Sequence, residues 1–127
     1  LQLQGSPLEA IQQYEQILAT TPEANEAANN LAWLYATHND ASVRNPTRAL
    51  HLARDLCDRT SYTVPPYLGT LAAALAQGGK FDEAIRLAET AASIARGRGD
   101  NEITKSLEKR AILYRQGKPV WLHSKGE

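Results

Sequence analysis

PPYLGTLAAALAQGGKFDEAI, residues 65–85, carries the strongest structural signal in the chain. Two prolines open an alanine- and leucine-rich run, two glycines interrupt it, and an acidic turn begins the next segment. Proline is tolerated in the first turn of a helix, alanine favours the helix interior, and paired glycines end a helix. The apolar residues of the first segment recur three and four positions apart, which places Leu68, Leu71, Ala72 and Leu75 on one helix face. The stretch therefore predicts two helices joined by a tight turn.

The same two kinds of segment recur on both sides of this stretch. Segments like its first half are NEAANNLAWLYAT (25–37) and NEITKSLEKRAILYRQ (101–116). Segments like its second half, here extended to GKFDEAIRLAETAASIA (79–95), are GSPLEAIQQYEQILATTP (5–22) and PTRALHLARDLCDRT (46–60). Aligned positions such as Leu31, Leu71 and Leu107 are 40 and 36 residues apart. A helical repeat of about 34 residues with short insertions accounts for that spacing, and the polar residues 38–45 are the longest insertion.

These segments resemble the tetratricopeptide repeat, a pair of helices that stacks into a solenoid. The resemblance is carried by small residues at helix contacts, by turn glycines, by aromatic residues and by a proline that ends a repeat: Ala10, Ala32, Ala49, Ala72, Ala84, Gly5, Gly79, Tyr14, Tyr35, Phe81 and Pro22. It implies an all-α fold, a right-handed α-solenoid of antiparallel helix pairs. About two and a half repeats and a C-terminal capping helix are expected.

We expect a single helical repeat domain over residues 1–127. Its parts are the second helix of a truncated repeat, a repeat with an insertion at 38–45, a further repeat, a capping helix and a tail: 5–22, 25–60, 65–95, 101–116 and 117–127. The closing segments also resemble the last repeats of larger, multidomain bacterial proteins. Since the chain contains no methionine, we expect it to be part of a longer protein.

Composition excludes several classes of function. The chain has 20 alanines and 16 leucines against nine valines and isoleucines, which argues against a β-sandwich or a parallel-sheet enzyme. Its 14 basic and 14 acidic residues give no net charge to attract nucleic acid. No apolar run reaches the roughly 20 residues that insert into a membrane. No signal peptide opens the sequence, which favours a cytoplasmic location and leaves a periplasmic one open.

The residues that most often carry chemistry are few and badly spaced for it. His38, His51 and His123 have no histidine three or four residues away, so the spacing of a metal pair is missing. Cys57 is the only cysteine and is expected to pack as a small apolar side chain. Asp82 and its neighbour fit the first turn of a helix, where acidic residues complement the helix dipole. We therefore expect no catalysis, no metal and no cofactor.

The resemblance also implies a binding surface, because the first helix of each tetratricopeptide repeat lines a concave groove that takes peptides. Alignment carries this role to eight residues of the segments 25–37, 65–77 and 101–116: Asn29, Asn30, Trp33, Thr70, Ala73, Gln77, Lys105 and Lys109. The family's clamp for a C-terminal carboxylate needs asparagines and basic residues in adjacent first helices. Gly69, Thr70 and Ala73 depart from that pattern, so this clamp is disfavoured.

Two of these assignments have alternative interpretations. Asn29 and Asn30 are candidates to bond a peptide backbone, or they are ordinary solvated helix residues. Trp33 is either a recognition anchor, a common role of tryptophan at interfaces, or a packing residue beneath the insertion at 38–45. The excess of basic residues after residue 65 indicates a solvated polar face, or else a surface for an acidic partner.

The resulting functional expectation is a non-catalytic interaction or scaffolding module that presents its groove to a protein or peptide. One alternative is an accessory region of a larger enzyme, such as a glycosyltransferase or a peptidase. The other is self-assembly: residues Leu1, Leu3, Leu8 and Ile11 belong to the truncated first repeat, and two copies could pair these ends as a homodimer.

Overall fold

The computed structural model describes residues 6–122, and over that range the chain forms six α-helices and no strand. The helices are α1 (Pro7–Thr20), α2 (Asn25–Thr37), α3 (Pro46–Arg59), α4 (Pro65–Gln77), α5 (Phe81–Gly97) and α6 (Asn101–Arg115). The predicted all-α class is confirmed, and each segment expected to be helical contains one helix. Leu1, Leu3, Gly5 and His123, and the end of the expected tail, lie outside the described residues.

The helices pack in a repeat-like arrangement. α2, α4 and α6 form a row, in which α4 packs against both of the others. α3 packs against α2 and α4, α5 packs against α4 and α6, and α1 packs against α2. Every second helix therefore belongs to the row, and α3 and α5 each pack against two neighbouring helices of it.

Side chains close the first turns of three helices. The Ser6 hydroxyl accepts a hydrogen bond from the Glu9 N–H, and the Glu9 carboxylate accepts one from the Ser6 N–H, a reciprocal capping box. Asn45 and Asp100 cap α3 and α6 through one side-chain oxygen each, which accepts a hydrogen bond from the backbone N–H three residues later. These caps satisfy backbone N–H groups that have no partner within the helix.

The last turns of α3 to α6 share one pattern of backbone bonding. In each, an N–H donates to the carbonyl five residues earlier, as from Lys80 to Leu75 at 2.9 Å and from Asp100 to Ala95 at 3.0 Å. The motif needs a left-handed residue just past the helix. α4, α5 and α6 supply glycine there, whereas α3 places Ser61 and Tyr62 at φ of 58° and 57°.

The core has two parts of different composition. The larger, named the alanine cluster here, extends from α2 to Val120 and consists mostly of alanine; its fully buried leucines include Leu71 and Leu75. Small residues let helix axes approach to about 8–10 Å. The smaller, named the tyrosine–leucine cluster, joins α1 to α2 and α3 through six buried residues: Tyr14, Leu18, Ala27, Ala28, Leu31 and Leu56.

A polar contact reinforces the attachment of α1. Arg48 on α3 donates to the Glu15 carboxylate at 2.7 Å, and the Tyr35 hydroxyl on α2 donates to the same group at 2.8 Å. The bonds from Arg48 hold the pKa of Glu15 below its ordinary value. Burial, together with the bond to Glu15, raises the pKa of Tyr35 to about 12. One side chain from each of three helices thus meets at a single carboxylate.

Candidate binding face on the α2–α4–α6 row

A pocket of about 250 Å³ opens on one face of the helix row. Its lining comes from the first three turns of three helices: Asn29, Asn30 and Trp33 of α2, Pro66 and Thr70 of α4, and Ile103, Ser106, Leu107 and Arg110 of α6. Equivalent stretches of α2, α4 and α6 thus meet here, so the three helices run in the same direction. We call this surface the pocket face.

Two asparagines give the pocket its hydrogen-bonding capacity. The Asn29 Oδ1 and Asn30 Nδ2 atoms are buried, and neither bonds to another group among the described residues. One is an acceptor and the other a donor, which is the complement of the N–H and C=O of a peptide unit. Thr70 donates its hydroxyl to the Pro66 carbonyl at 3.1 Å and keeps acceptor capacity. Apolar surface from Ile103 and Leu107 completes the lining.

An arginine lies flat on the tryptophan of the pocket. The Arg110 guanidinium is 4.6 Å from the centre of the Trp33 ring, a cation–π contact that reaches from α6 to α2. Gly69 makes room for it on α4: a Cβ at that position would be 3.0 Å from Arg110 Nη1 and 2.9 Å from Leu107 Cδ2. The small residue that breaks the family's clamp pattern is therefore the one that lets Arg110 cross α4.

The polar atoms that lack a partner are concentrated on this row. Among the described residues, the buried side-chain atoms without a hydrogen bond belong to Asn29, Asn30, Gln77 and Tyr114, all on α2, α4 or α6. Gln77 is seven residues after Thr70 and Tyr114 is seven after Leu107, so both continue the helix stripes that line the pocket. Buried polar groups are nearly always bonded, and an exception needs an explanation. A bound partner on this face would provide one.

The end of the chain crosses the same row. Lys118 N–H donates to the Leu113 carbonyl of α6 at 3.0 Å, and Leu122 N–H donates to the Thr37 carbonyl at the end of α2 at 2.8 Å. Val120, between these two bonds, is 4% exposed and belongs to the alanine cluster. We call residues 118–122 the strap.

The insertion at 38–45 holds the strap from the α2 side. Arg44 donates to the His38 carbonyl at 2.7 Å, and its guanidinium lies 4.6 Å from the centre of the Trp121 ring. The Asn45 N–H also donates a hydrogen bond to the Tyr35 carbonyl of α2 at 2.9 Å. The insertion thus supplies an arginine to Trp121, while the arginine on Trp33 comes from α6.

The eight residues expected on a groove are divided by the structure. Asn29, Asn30, Trp33 and Thr70 line the pocket together. Ala73 is 1% exposed, and so cannot offer a surface to a ligand. It belongs to a run of α4 from Leu68 to Ala76 in which every residue is buried. The remaining three do not line the pocket: Gln77 ends α4, and Lys105 and Lys109 are exposed on α6.

Four lining residues of α6 were not among those eight: Ile103, Ser106, Leu107 and Arg110. Ile103, Leu107 and Arg110 lie three to seven positions apart, a helical stripe that the sequence already contains. The alignment through Leu107 instead assigned the neighbouring stripe of Lys105 and Lys109. Choosing the partly apolar stripe that also carries a long cation would have placed α6 correctly on the pocket face.

The groups considered for chemistry lie away from this pocket. Cys57 is buried in the alanine cluster, and burial raises the pKa of its thiol to about 11. The His38 Nδ1 accepts the N–H of Asp40 at 2.9 Å. Within residues 6–122 no group of three histidine, cysteine or acidic side chains is arranged to hold a metal ion. None of the six described helices is both long enough and apolar enough to cross a membrane.

Fold and site together define the class: over residues 6–122, an all-α protein whose six helices pack in a repeat-like arrangement, with a mixed polar and apolar pocket on one face. Comparison with protein-family models, with curated proteins and with solved structures gives no match to this chain.

Proposed function

We propose that this chain is a non-catalytic interaction module of the tetratricopeptide type, which binds a peptide segment of a protein partner on the pocket face. The observation that carries this proposal is the pair of buried, unbonded amide atoms of Asn29 and Asn30. They lie beside apolar walls, in a pocket to which three helices contribute. Leaving such groups without a bond costs a folded protein about 1–3 kcal/mol each, a cost that a bound peptide unit would remove.

The chemistry of the pocket favours binding over catalysis. Among the described residues, Arg110 is the only charged one that lines it, and no carboxylate, histidine or cysteine does. General acid–base steps need such groups within hydrogen-bond reach of the substrate, and the hydroxyls of Thr70 and Ser106 would need one as a base to act as nucleophiles. A donor, an acceptor and an apolar wall instead suit recognition of a backbone with a side chain.

A random dodecapeptide display library, selected on the purified chain, tests this function. Peptides from the selection should bind Asn30→Ala about tenfold to a hundredfold more weakly than wild type, because a hydrogen bond to a buried amide is lost. The thermal stability of Asn30→Ala should be no lower than that of wild type, since Asn30 Nδ2 makes no bond in the unbound chain.

Asn101→Ala, which truncates an exposed asparagine at the start of α6, is the matched control and should bind as wild type does. Selected peptides that bind Asn30→Ala and wild type equally would contradict the proposed site. A selection that yields no binder at all would contradict the function.

Self-assembly through the first helix is the second candidate, since α1 leaves Leu8 60% and Ile17 42% exposed. These two residues are nine positions apart, half a turn out of phase, so they do not form one continuous face. Association through this end also involves residues 1–5, outside the described range. Sedimentation velocity of the chain at several concentrations tests this candidate. A dimer that Leu8→Asp dissociates would favour self-assembly over peptide binding.

A further inference from the structure

The strap lies at the C-terminal ends of the helices of the row. Its four steps of chain from Lys118 to Leu122 reach at most about 14 Å when extended, and they join the ends of α6 and α2. α4 lies between those two helices in the row. The strap therefore passes over the C-terminal end of α4, at the opposite end of the helices from the pocket.

The strap is held at both ends and in its middle. Its contacts include the bonds from Lys118 to Leu113 and from Leu122 to Thr37, the buried Val120 side chain and the stack of Arg44 on Trp121. The strap adds a non-helical segment, with an aliphatic and then an aromatic side chain, to a surface made by three helices. In its geometry it resembles a short peptide ligand that happens to be covalently attached.

The strap leaves two polar groups at this end of the row without a bond. Gln77 is the last residue of α4 and Tyr114 is in the last turn of α6, and their Nε2 and Oη atoms are buried without a described partner. Burial raises the pKa of Tyr114 to about 12, against the opposing effect of nearby Arg110. The hydroxyl is therefore protonated at neutral pH, and both groups are donors that lack an acceptor.

We propose that the strap occupies a second peptide subsite, and that an extended segment of a partner replaces it there. The partner segment places a branched aliphatic side chain where Val120 lies, and its backbone carbonyls accept from Gln77 Nε2 and Tyr114 Oη. This inference rests on the proposed function, because it adds a second peptide subsite to the same three helices. In the resting chain the strap occupies that subsite.

The probe is the strap sequence itself, the synthetic peptide acetyl-Lys-Pro-Val-Trp-Leu-amide, added to full-length chains and followed by NMR. Val120→Asn should release the strap and bind the probe about tenfold or more tightly than wild type does, since the wild-type strap competes at an effective concentration in the millimolar range. Shifts should centre on Thr37 and Arg44. Gln116→Asn, at an exposed position next to the strap, is the matched control and should behave as wild type.

Tyr114→Phe tests whether the Tyr114 hydroxyl binds a ligand or stabilises the fold. Combined with Val120→Asn, it should weaken probe binding several-fold, whereas alone it should not lower the melting temperature, because no described bond is lost. Equal probe binding by wild type and Val120→Asn would overturn the proposal. So would unfolding of Val120→Asn, which would show that the fold needs the strap in place, or a wild-type dimer formed by exchange of straps.

The two proposals can fail separately. If library peptides need Asn30 but Val120→Asn changes nothing, the pocket stands and the strap inference falls. If the strap peptide binds at Thr37 while no library peptide depends on Asn30, the second subsite stands without the first.

Discussion

The two clusters of the core solve the same packing problem by different means. In the alanine cluster the helices approach closely through small side chains, and α4, α5 and α6 end with glycine in the left-handed position. In the tyrosine–leucine cluster larger side chains fill the space, and α1 is fixed partly by polar contacts to Glu15. The alanine cluster depends on short distances between helices, and the tyrosine–leucine cluster depends on large side chains that fill the space. Enlarging a side chain should therefore damage the first cluster, and truncating one should damage the second.

Removing volume should harm the tyrosine–leucine cluster most. Leu31 on α2 is fully buried, at 0% exposure, and Leu31→Ala should destabilise the chain by about 2–5 kcal/mol, the usual cost of a leucine-sized cavity. Urea denaturation followed by circular dichroism measures it. A loss below about 1 kcal/mol would mean that α1 and α3 collapse onto the cavity and that volume is not what holds this cluster.

Adding volume should harm the alanine cluster. Ala72 on α4 is 1% exposed, and Ala72→Leu should cost about 1–3 kcal/mol because the neighbouring helices would be forced apart. The same denaturation experiment applies, with Ala41→Leu in the exposed insertion as the control for added hydrophobic bulk. An unchanged melting temperature for Ala72→Leu would show that the helices of the row are not in close contact at this position.

Introducing a glycine at one helix end and removing one at another should change the stability of the chain in opposite directions. Ser61 takes a positive φ at the end of α3, and Ser61→Gly should stabilise the chain by up to about 1 kcal/mol as left-handed strain is relieved. Gly99→Ala, at φ of 76° after α5, should destabilise it by a similar amount. Differential scanning calorimetry compares the two, and shifts of the same sign would contradict this account of the helix ends.

The smallest effect is expected from the polar contact of α1. Since its bonds to Arg48 lower the pKa of Glu15, the contact stabilises the chain above the ordinary pKa of 4.5 and loses that effect as pH falls through the lowered value. Glu15 and Arg48 are 35% and 41% exposed, so we expect less than about 1 kcal/mol. Glu15→Gln should flatten the acid side of a plot of melting temperature against pH. A plot with an unchanged acid side would assign that dependence to other carboxylates.

Local signals in the sequence were sufficient to predict the helices. The prolines, the alanine-rich runs and the turn glycine Gly79 act within a few residues of where they stand. The predicted boundaries at 65, 101 and 37 are therefore those observed. Part of the pocket follows from the resemblance to the tetratricopeptide repeat, since the alignment assigned Asn30 and Trp33 on α2 to the binding side and both line the pocket.

The remaining parts of the site depend on contacts between distant residues. The orientation of α6, which brings Arg110 rather than Lys109 to the pocket, depends on packing against α4 at Gly69. The strap depends on a bond from Leu122 to Thr37, 85 positions earlier in the sequence. No periodicity within a helix encodes either contact, so a single sequence could not place them.

The central claim is that Asn29 and Asn30 receive a peptide, and their side-chain amide signals in ¹⁵N NMR test it most directly. On addition of the strongest dodecapeptide from the display selection, both side-chain NH₂ pairs should shift and those of Asn30 should become protected from exchange with solvent. The signals of Asn25, on the same helix but outside the pocket, should stay in place. A peptide that binds with shifts confined to α1, α3 and α5, and with both amides unchanged, would contradict the account.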